Sequence, residues 1–269
     1  MSDSAKIAAN ISMLFREFAT LDRFQAARAA GFDGVEMQFP YAESPNELAR
    51  AAQGAGMPIV LINAPASREY PFGLAGRPEM RDSFRSQLTQ ISEYAEALDV
   101  RFVHVLAGPV HSIDERESCC RTYTENLLLA ADALAPRGVG VLVEALNAHD
   151  VPNYLVGTLA DAELLLDRCR QRVALQFDLY HVARMGLDPV VELKRCMPFV
   201  RHVQFADAPG RHEPGTGSVK FDSALEVLNA GGYAGWLSAE YIPLAATAAG
   251  MAWLGYWRRG MCGLPPPRN

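Results

Sequence analysis

Short apolar runs alternate along most of this chain with longer stretches of helical period. The runs Lys6–Ile11, Gly34–Gln38, Pro58–Asn63, Phe102–Leu106, Gly140–Ala145, Ala174–Asp178, His202–Ala206 and Gly235–Glu240 read as buried strands. Between them, apolar positions recur every three or four residues. LDRFQAARAAGF carries Leu21, Phe24, Ala27 and Arg28 at helical spacing and stops at Gly31, a glycine suited to a helix C-terminus. Ser44 before Pro45 opens another helix, and Thr158 followed by Asp161 has the form of a capping box. Pro78–Leu98 and Glu115–Ala135 are long and amphipathic, and DPVVELKRC, FDSALEVLNAGG and TAAGMAWLGYWRRG complete the set.

From Asn10 to Glu240 the units repeat about every 33 residues, the length a parallel crossover needs. Eight strands, each followed by a helix, predict an α/β fold: a closed (β/α)8 TIM barrel, one domain over residues 1–260. The proline-containing stretch 261–269 is expected to be a flexible tail. An open doubly wound sheet is the competitor, and it calls for a GxGxxG turn after the first strand. None is present.

Composition narrows the function classes. The chain has 269 residues, 49% of them hydrophobic, with 25 basic against 31 acidic side chains and a net charge of −6. That balance argues against a broad nucleic-acid-binding surface. No apolar stretch reaches the roughly 18 residues that span a bilayer, and no secretory leader is evident. Cys119, Cys120, Cys169, Cys196 and Cys262 are odd in number and lack CxxC spacing, which suits reduced thiols in a cytoplasmic protein. The aromatic, basic segment MAWLGYWRRG either covers the barrel or meets a second copy of the chain, so a homo-oligomer stays open.

In such a barrel chemistry gathers at the C-terminal strand ends. Those ends carry Asn10, Glu36, Asn63, His104, Glu144, Asp178 with His181, Gln204 with Asp207, and Glu240. A carboxylate left unpaired there costs several kcal/mol, so each needs a metal, a cation or water. Glu144, Asp178, Gln204 and Glu240 come from four successive strands and form a hard, oxygen-rich set suited to Mg²⁺ or Mn²⁺. Singly, each has a plainer reading: a strand-end Glu caps or pairs, His104 packs in the barrel, Glu36 caps its loop, and Phe39 and Tyr41 of MQFPY pack as aromatics. In RHEPGTG, Pro214-Gly215 and Thr216-Gly217 supply a turn on their own, while Arg211 can hold a carboxylate through its fork. There is no Walker lysine, GxSxG elbow or marked cysteine nucleophile.

NISMLF, AGFDGVEMQFPY, VEALN, QFDLYH, HVQFAD, RHEPGTG and AEY together resemble hydroxypyruvate isomerase and its relative 2-oxo-tetronate isomerase, in the xylose-isomerase-like barrel superfamily. The likeness runs from about Lys6 to Arg259. It implies acid/base roles for Glu144 and Glu240, metal positions at Glu144, Asp178, Gln204 and Glu240, and substrate contacts at His181 and Arg211. Asn10, His104 and Glu213 are further candidate substrate contacts by their place at the strand ends and the loop after the seventh strand. Gln204 stands where many sugar epimerases of the superfamily carry histidine. The segment after Asn63, APASREYPFGLAGRPEM, looks shorter than in those isomerases, which bears on substrate identity more than on reaction type.

The resemblance implies isomerisation of a small α-hydroxy carbonyl acid through an enediolate, with a divalent metal, Mg²⁺ or Mn²⁺, holding the charged oxygens. The alternatives are an epimerase using the same residues, a DNA-repair endonuclease of the superfamily, or an inactive binding barrel. The expected partner is a small-molecule acid, with no nucleic acid and no membrane.

Overall fold

The computed structural model describes residues 6–260. Eight strands, β1 (Lys6–Asn10), β2 (Gly34–Met37), β3 (Ile59–Asn63), β4 (Phe102–His104), β5 (Gly140–Glu144), β6 (Ala174–Asp178), β7 (Val200–Phe205) and β8 (Trp236–Ala239), pair in parallel with their sequence neighbours. β8 returns to β1 in register from Lys6–Trp236 to Ala9–Ala239, which closes the barrel. The expected (β/α)8 architecture is the one observed.

The outer ring is α1 (Arg23–Ala30), α2 (Pro45–Ala55), α3 (Arg81–Ala97), α4 (Arg116–Leu134), α5 (Leu159–Arg168), α6 (Leu179–Arg184), α7 (Pro189–Cys196), α8 (Phe221–Ala230) and α9 (Ala252–Gly260). Their ends follow the local chemistry foreseen. Gly31 takes φ +97° to end α1, Ser44 accepts from the Glu47 N–H at α2, and Thr158 and Asp161 form a complete capping box at α5. The short α6 was not foreseen. It begins directly where β6 ends, with Asp178 serving as last strand residue and as N-cap through Tyr180 N–H.

Alternation along the strands divides the core. Ile7, Ala9, Val35, Met37, Val103, Val141, Val143, Leu175, Phe177, Val203 and Phe205 face outward into the layer beneath the helices. The opposite parity fills the barrel, and its apolar part is a small floor of Ala8, Val60, Leu61, Leu142 and Trp236, with Phe102 and Ala174 against it. Above that floor the inward-facing strand positions are polar. α9 resolves the open question of its aromatic face: Trp253 and Trp257 are buried against Phe205, Phe221, Phe32 and Tyr241, so they cover the barrel. Cys119, Cys120, Cys169 and Cys196 are free thiols. Cys262 and the expected tail 261–269 lie outside the described residues.

Candidate active site

Above the apolar floor the barrel buries Asn10, Glu36, His104, Glu144, Gln176, Asp178, His202, Gln204, Ser238 and Glu240. This many buried polar groups require partners, because each unpaired one is costly. Most of those partners are one another.

The loop after β7 aims a cation at them. Asp207 accepts N–H groups from Ala208, Gly215, Gly217 and Val219 at 2.8–3.0 Å and so gathers the RHEPGTG loop around one carboxylate. A Cβ on Gly217 would lie 2.0 Å from the Ala208 carbonyl oxygen, so only glycine fits there. Within this turn Arg211 adopts φ +58°, a left-handed conformation that costs a non-glycine residue roughly 1–2 kcal/mol. The strained turn sends the guanidinium over the mouth. It stacks 5.0 Å above the Tyr180 ring and donates to Glu240 Oε2 at 2.6 Å, with Asp150 at 3.7 Å and Asp178 at 4.0 Å. Its Nε is buried without a partner.

Glu240 is saturated. Besides Arg211 on Oε2, its Oε1 accepts from Asn10 at 2.8 Å, Gln38 at 3.0 Å and Gln204 at 3.3 Å. Glu144 and Asp178 are not: Glu144 Oε1 and Asp178 Oδ2 are buried and unpaired. Burial, followed by the neighbouring Glu240 and Asp178 charges, drives the Glu144 carboxyl well above the ordinary range. Burial also pushes Asp178 up to about 7, partly offset by Arg211. Glu240 is raised by burial too, against the pull of Arg211. Lower down, burial would raise Glu36, but His202 and the hydrogen bond of Gln204 hold it below the ordinary range.

The histidines at the mouth are neutral. Burial lowers His104 to about 3, and burial with the Arg211 charge lowers His181 well below its ordinary value. The Asn147 backbone N–H donates to His181 Nδ1 at 3.2 Å, and Asn147 Nδ2 lies 2.7 Å from the same nitrogen. Nδ1 is therefore the acceptor, and the proton of the neutral ring sits on Nε2. That Nε2–H faces Asp178 Oδ2 at 3.7 Å and Glu144 Oε1 at 4.0 Å.

Glu144, Asp178 and His181 are the group of metal-ligating residues that converges among the described residues. Two buried, unpaired carboxylate oxygens side by side fit a hard divalent cation, and Mg²⁺ is commonly held by one or two carboxylates with water completing its shell. Glu144 and His181, with Arg211 and Glu240, line a cavity of about 140 Å³ whose other wall is apolar: Phe39, Pro71, Phe72, Leu106, Leu146 and Val151. Larger clefts lie at the N-terminal end of the barrel and beside α8 and α9, away from the unpaired groups.

Residues 24–257 match the xylose isomerase-like TIM barrel family. The chain belongs to that family. Among similar proteins is a 2-oxo-tetronate isomerase of Cupriavidus necator, 38% identical over 93% of this chain and 97% of that protein. The hydroxypyruvate isomerase of Escherichia coli is 33% identical over 94% and 99% respectively. A crystal structure described as an AP endonuclease, family 2, from Brucella melitensis superposes with a TM-score of 0.89 at 37% identity, covering 93% of this chain and 98% of that one.

On this xylose isomerase-like barrel, Glu144, Asp178, His181, His104, Arg211 and Glu240 come together at one mouth. Three other expected residues sit differently. Asn10 is used up below the cavity, its Nδ2 on Glu36 and Glu240 and its Oδ1 on Ser12 N–H. Gln204 turns its oxygen to Gln176 Nε2 at 2.6 Å and its NH₂ to the carboxylates. Glu213 points to the chain after β8 and accepts Leu244 N–H at 3.1 Å. Sequence reasoning missed Gln38, Gln176 and His202. For Gln176 and His202 the signal was available, since each lies two positions from a residue already singled out and therefore on the same strand face; Gln38 lies two positions beyond Glu36, just past the end of β2. Asn147 and Asp150, on the loop after β5, carried no such signal.

Proposed function

We propose that this protein is a keto-acid isomerase that interconverts hydroxypyruvate and tartronate semialdehyde by proton transfer through an enediolate. The observation that carries this reading is the buried Glu144 carboxylate, which leaves one oxygen unpaired and lines the same small cavity as Arg211 and Glu240, with Asp178, also unpaired at one oxygen, converging on it. The names of the relatives support it. The cavity, about 140 Å³, is small and suits a short-chain acid.

Arg211 supplies the anchor for the substrate carboxylate, because its buried Nε–H has no partner in the protein. Glu144, a strong base for a carboxylate because it is desolvated, removes a proton from C3 of hydroxypyruvate. The C3–H electron pair becomes the C2–C3 double bond of the enediolate, and the carbonyl electrons move onto O2. The enediolate O2 takes up a proton as O3 gives one up, and a proton delivered to C2 completes the aldehyde, so substrate and product contain the same atoms. Glu240 stands on the other side of the mouth as the second proton carrier, and its Oε2 becomes available as Arg211 turns to the substrate carboxylate. His181 Nε2–H donates to a substrate oxygen, and the neutral His104 ring closes the wall. A divalent cation held at Glu144 and Asp178, Mg²⁺ or Mn²⁺, would stabilise charge on the enediolate oxygens.

The C. necator relative favours a second substrate, the four-carbon 2-oxo-tetronate, with the same residues in the same roles. Assay of chelator-stripped protein on both acids, with and without Mg²⁺ or Mn²⁺, decides between them and tests the cation. Turnover of neither acid under any condition defeats the reading. No helix of the described residues is long and apolar enough to cross a membrane, and we place the enzyme in the cytoplasm with a small acid as its partner.

A further inference from the structure

Beneath Glu240 lies another buried carboxylate that the proton transfers leave unused. Glu36 of β2 and His202 of β7 are both fully buried, with His202 Nε2 2.8 Å from Glu36 Oε2. Glu36 Oε1 accepts from Asn10 Nδ2 at 2.9 Å and from Gln204 Nε2 at 2.7 Å. Each of those nitrogens also donates to Glu240 Oε1, at 2.8 Å and 3.3 Å. An amide NH₂ has two hydrogens, so both amides spend one on Glu36 and one on Glu240.

This fixes which way Gln204 faces. Turned over, its oxygen would confront two carboxylates, and its NH₂ would confront the NH₂ of Gln176, which now donates to Gln204 Oε1. Gln176 uses its second hydrogen on Glu144 Oε2 at 2.8 Å. One directed chain of hydrogen bonds therefore runs from His202 and Glu36 through Gln204 and Gln176 to Glu144. A branch through Asn10 reaches Glu240. Both glutamates at the mouth hang from the same buried pair, and His202 and Glu36 come from β7 and β2, on either side of the β8–β1 seam.

We propose that Glu36 and His202 are a positioning pair: by orienting the amides of Asn10 and Gln204 they set where Glu144 and Glu240 stand relative to the substrate. The effect on turnover rests on the isomerase reading, whereas the order of the hydrogen bonds does not. A pair present only to fill space behaves differently. Replacing both partners of a buried hydrogen bond by apolar side chains of similar volume is often near neutral for folding, so a merely structural pair can be exchanged without consequence at the mouth.

The test compares wild type, Glu36→Gln, and the double variant Glu36→Leu with His202→Leu. The double variant strands no buried charge, and Glu36→Gln keeps an oxygen for the two amides. Misplacing a reacting group by about 1 Å costs on the order of 10²-fold, so kcat should fall about 10²-fold in the double variant and about tenfold in Glu36→Gln, with KM within about threefold. The independent readout is hydrogen exchange of the Asn10 and Gln204 side-chain NH₂ groups by NMR. Exchange should be slow in wild type and at least about tenfold faster in the double variant. If wild type turns over neither acid, the isomerase reading fails and the exchange rates alone judge the pair. Unchanged exchange overturns the proposal, and so does an active enzyme whose double variant keeps kcat within about twofold. Should the double variant not fold, the same readouts on Glu36→Gln decide.

Discussion

The two sides of the barrel mouth follow opposite rules. On the β8–β1–β2 side, Glu240 receives three amide N–H groups and an arginine, which offset part of the burial that raises its carboxyl. On the β5–β6 side, Glu144 and Asp178 each leave a buried oxygen bare, and burial drives both toward the protonated form. An unpaired buried carboxylate is a standing cost to the fold. The difference shows where the protein needs something from outside: the saturated side is finished by folding, and the bare side is finished by a cation, a proton or a substrate.

The sharpest way to break this contrast is to neutralise each glutamate in turn. Glu144→Gln and Glu240→Gln should each lower turnover by about 10²–10⁴-fold, the usual worth of a proton-transfer role. Their effects on stability should have opposite signs. In chelator-treated protein, melting curves should show Glu144→Gln at or above wild type, because a desolvated charge is gone. Glu240→Gln should melt lower, because Arg211 is left buried without its carboxylate. The same sign for both would erase the distinction between the two sides.

Arg211→Met comes next. It should raise KM for the keto acid about 10- to 10²-fold, corresponding to about 1.5–3 kcal/mol for a charge-assisted hydrogen bond, as steady-state kinetics will read. A pH-dependent effect on stability follows for Asp178→Asn. Folding raises the Asp178 carboxyl from 3.8 to about 7, so the folded wild type binds this proton more tightly than the unfolded chain does. The contribution of Asp178 to stability is therefore greatest below 3.8 and is lost as pH rises through about 7. Asparagine does not titrate. Denaturant titrations without metal should thus show Asp178→Asn gaining on wild type between pH 4 and pH 7 and levelling above, and a relation independent of pH would contradict the assigned burial. Smallest is Thr158→Ala, remote from the mouth. Loss of its capping box should cost about 1 kcal/mol in unfolding experiments and leave kcat and KM unaltered.

The barrel was legible because its signal is repeated: eight buried runs at similar spacing leave little freedom, and the strand ends then locate the carboxylates. α6 escaped because six residues are too few for a helical period, and because Asp178 ends the strand and caps the helix with no turn between them. At the site, Glu144, Asp178, His181 and Arg211 were readable from position alone. Gln176 and His202 were passed over although a period of two puts them on the same face, since attention fell on strand ends and the network extends one layer deeper. Glu213 misled for a different reason. Neighbours in a tight turn point in different directions, and two residues beyond Arg211 the side chain serves the next loop. The apolar wall of Phe39, Phe72 and Val151 was only partly readable, because three separate loops build it.

The most direct test of the central claim is to incubate chelator-stripped protein with hydroxypyruvate in D₂O, before and after adding Mg²⁺ or Mn²⁺, and to follow the products by NMR. The account predicts tartronate semialdehyde carrying hydrogen or deuterium at C2, formed by wild type and lost in Glu144→Gln, with the added cation increasing its rate. Hydroxypyruvate left unchanged by wild type, or product formed equally well by Glu144→Gln, would contradict it.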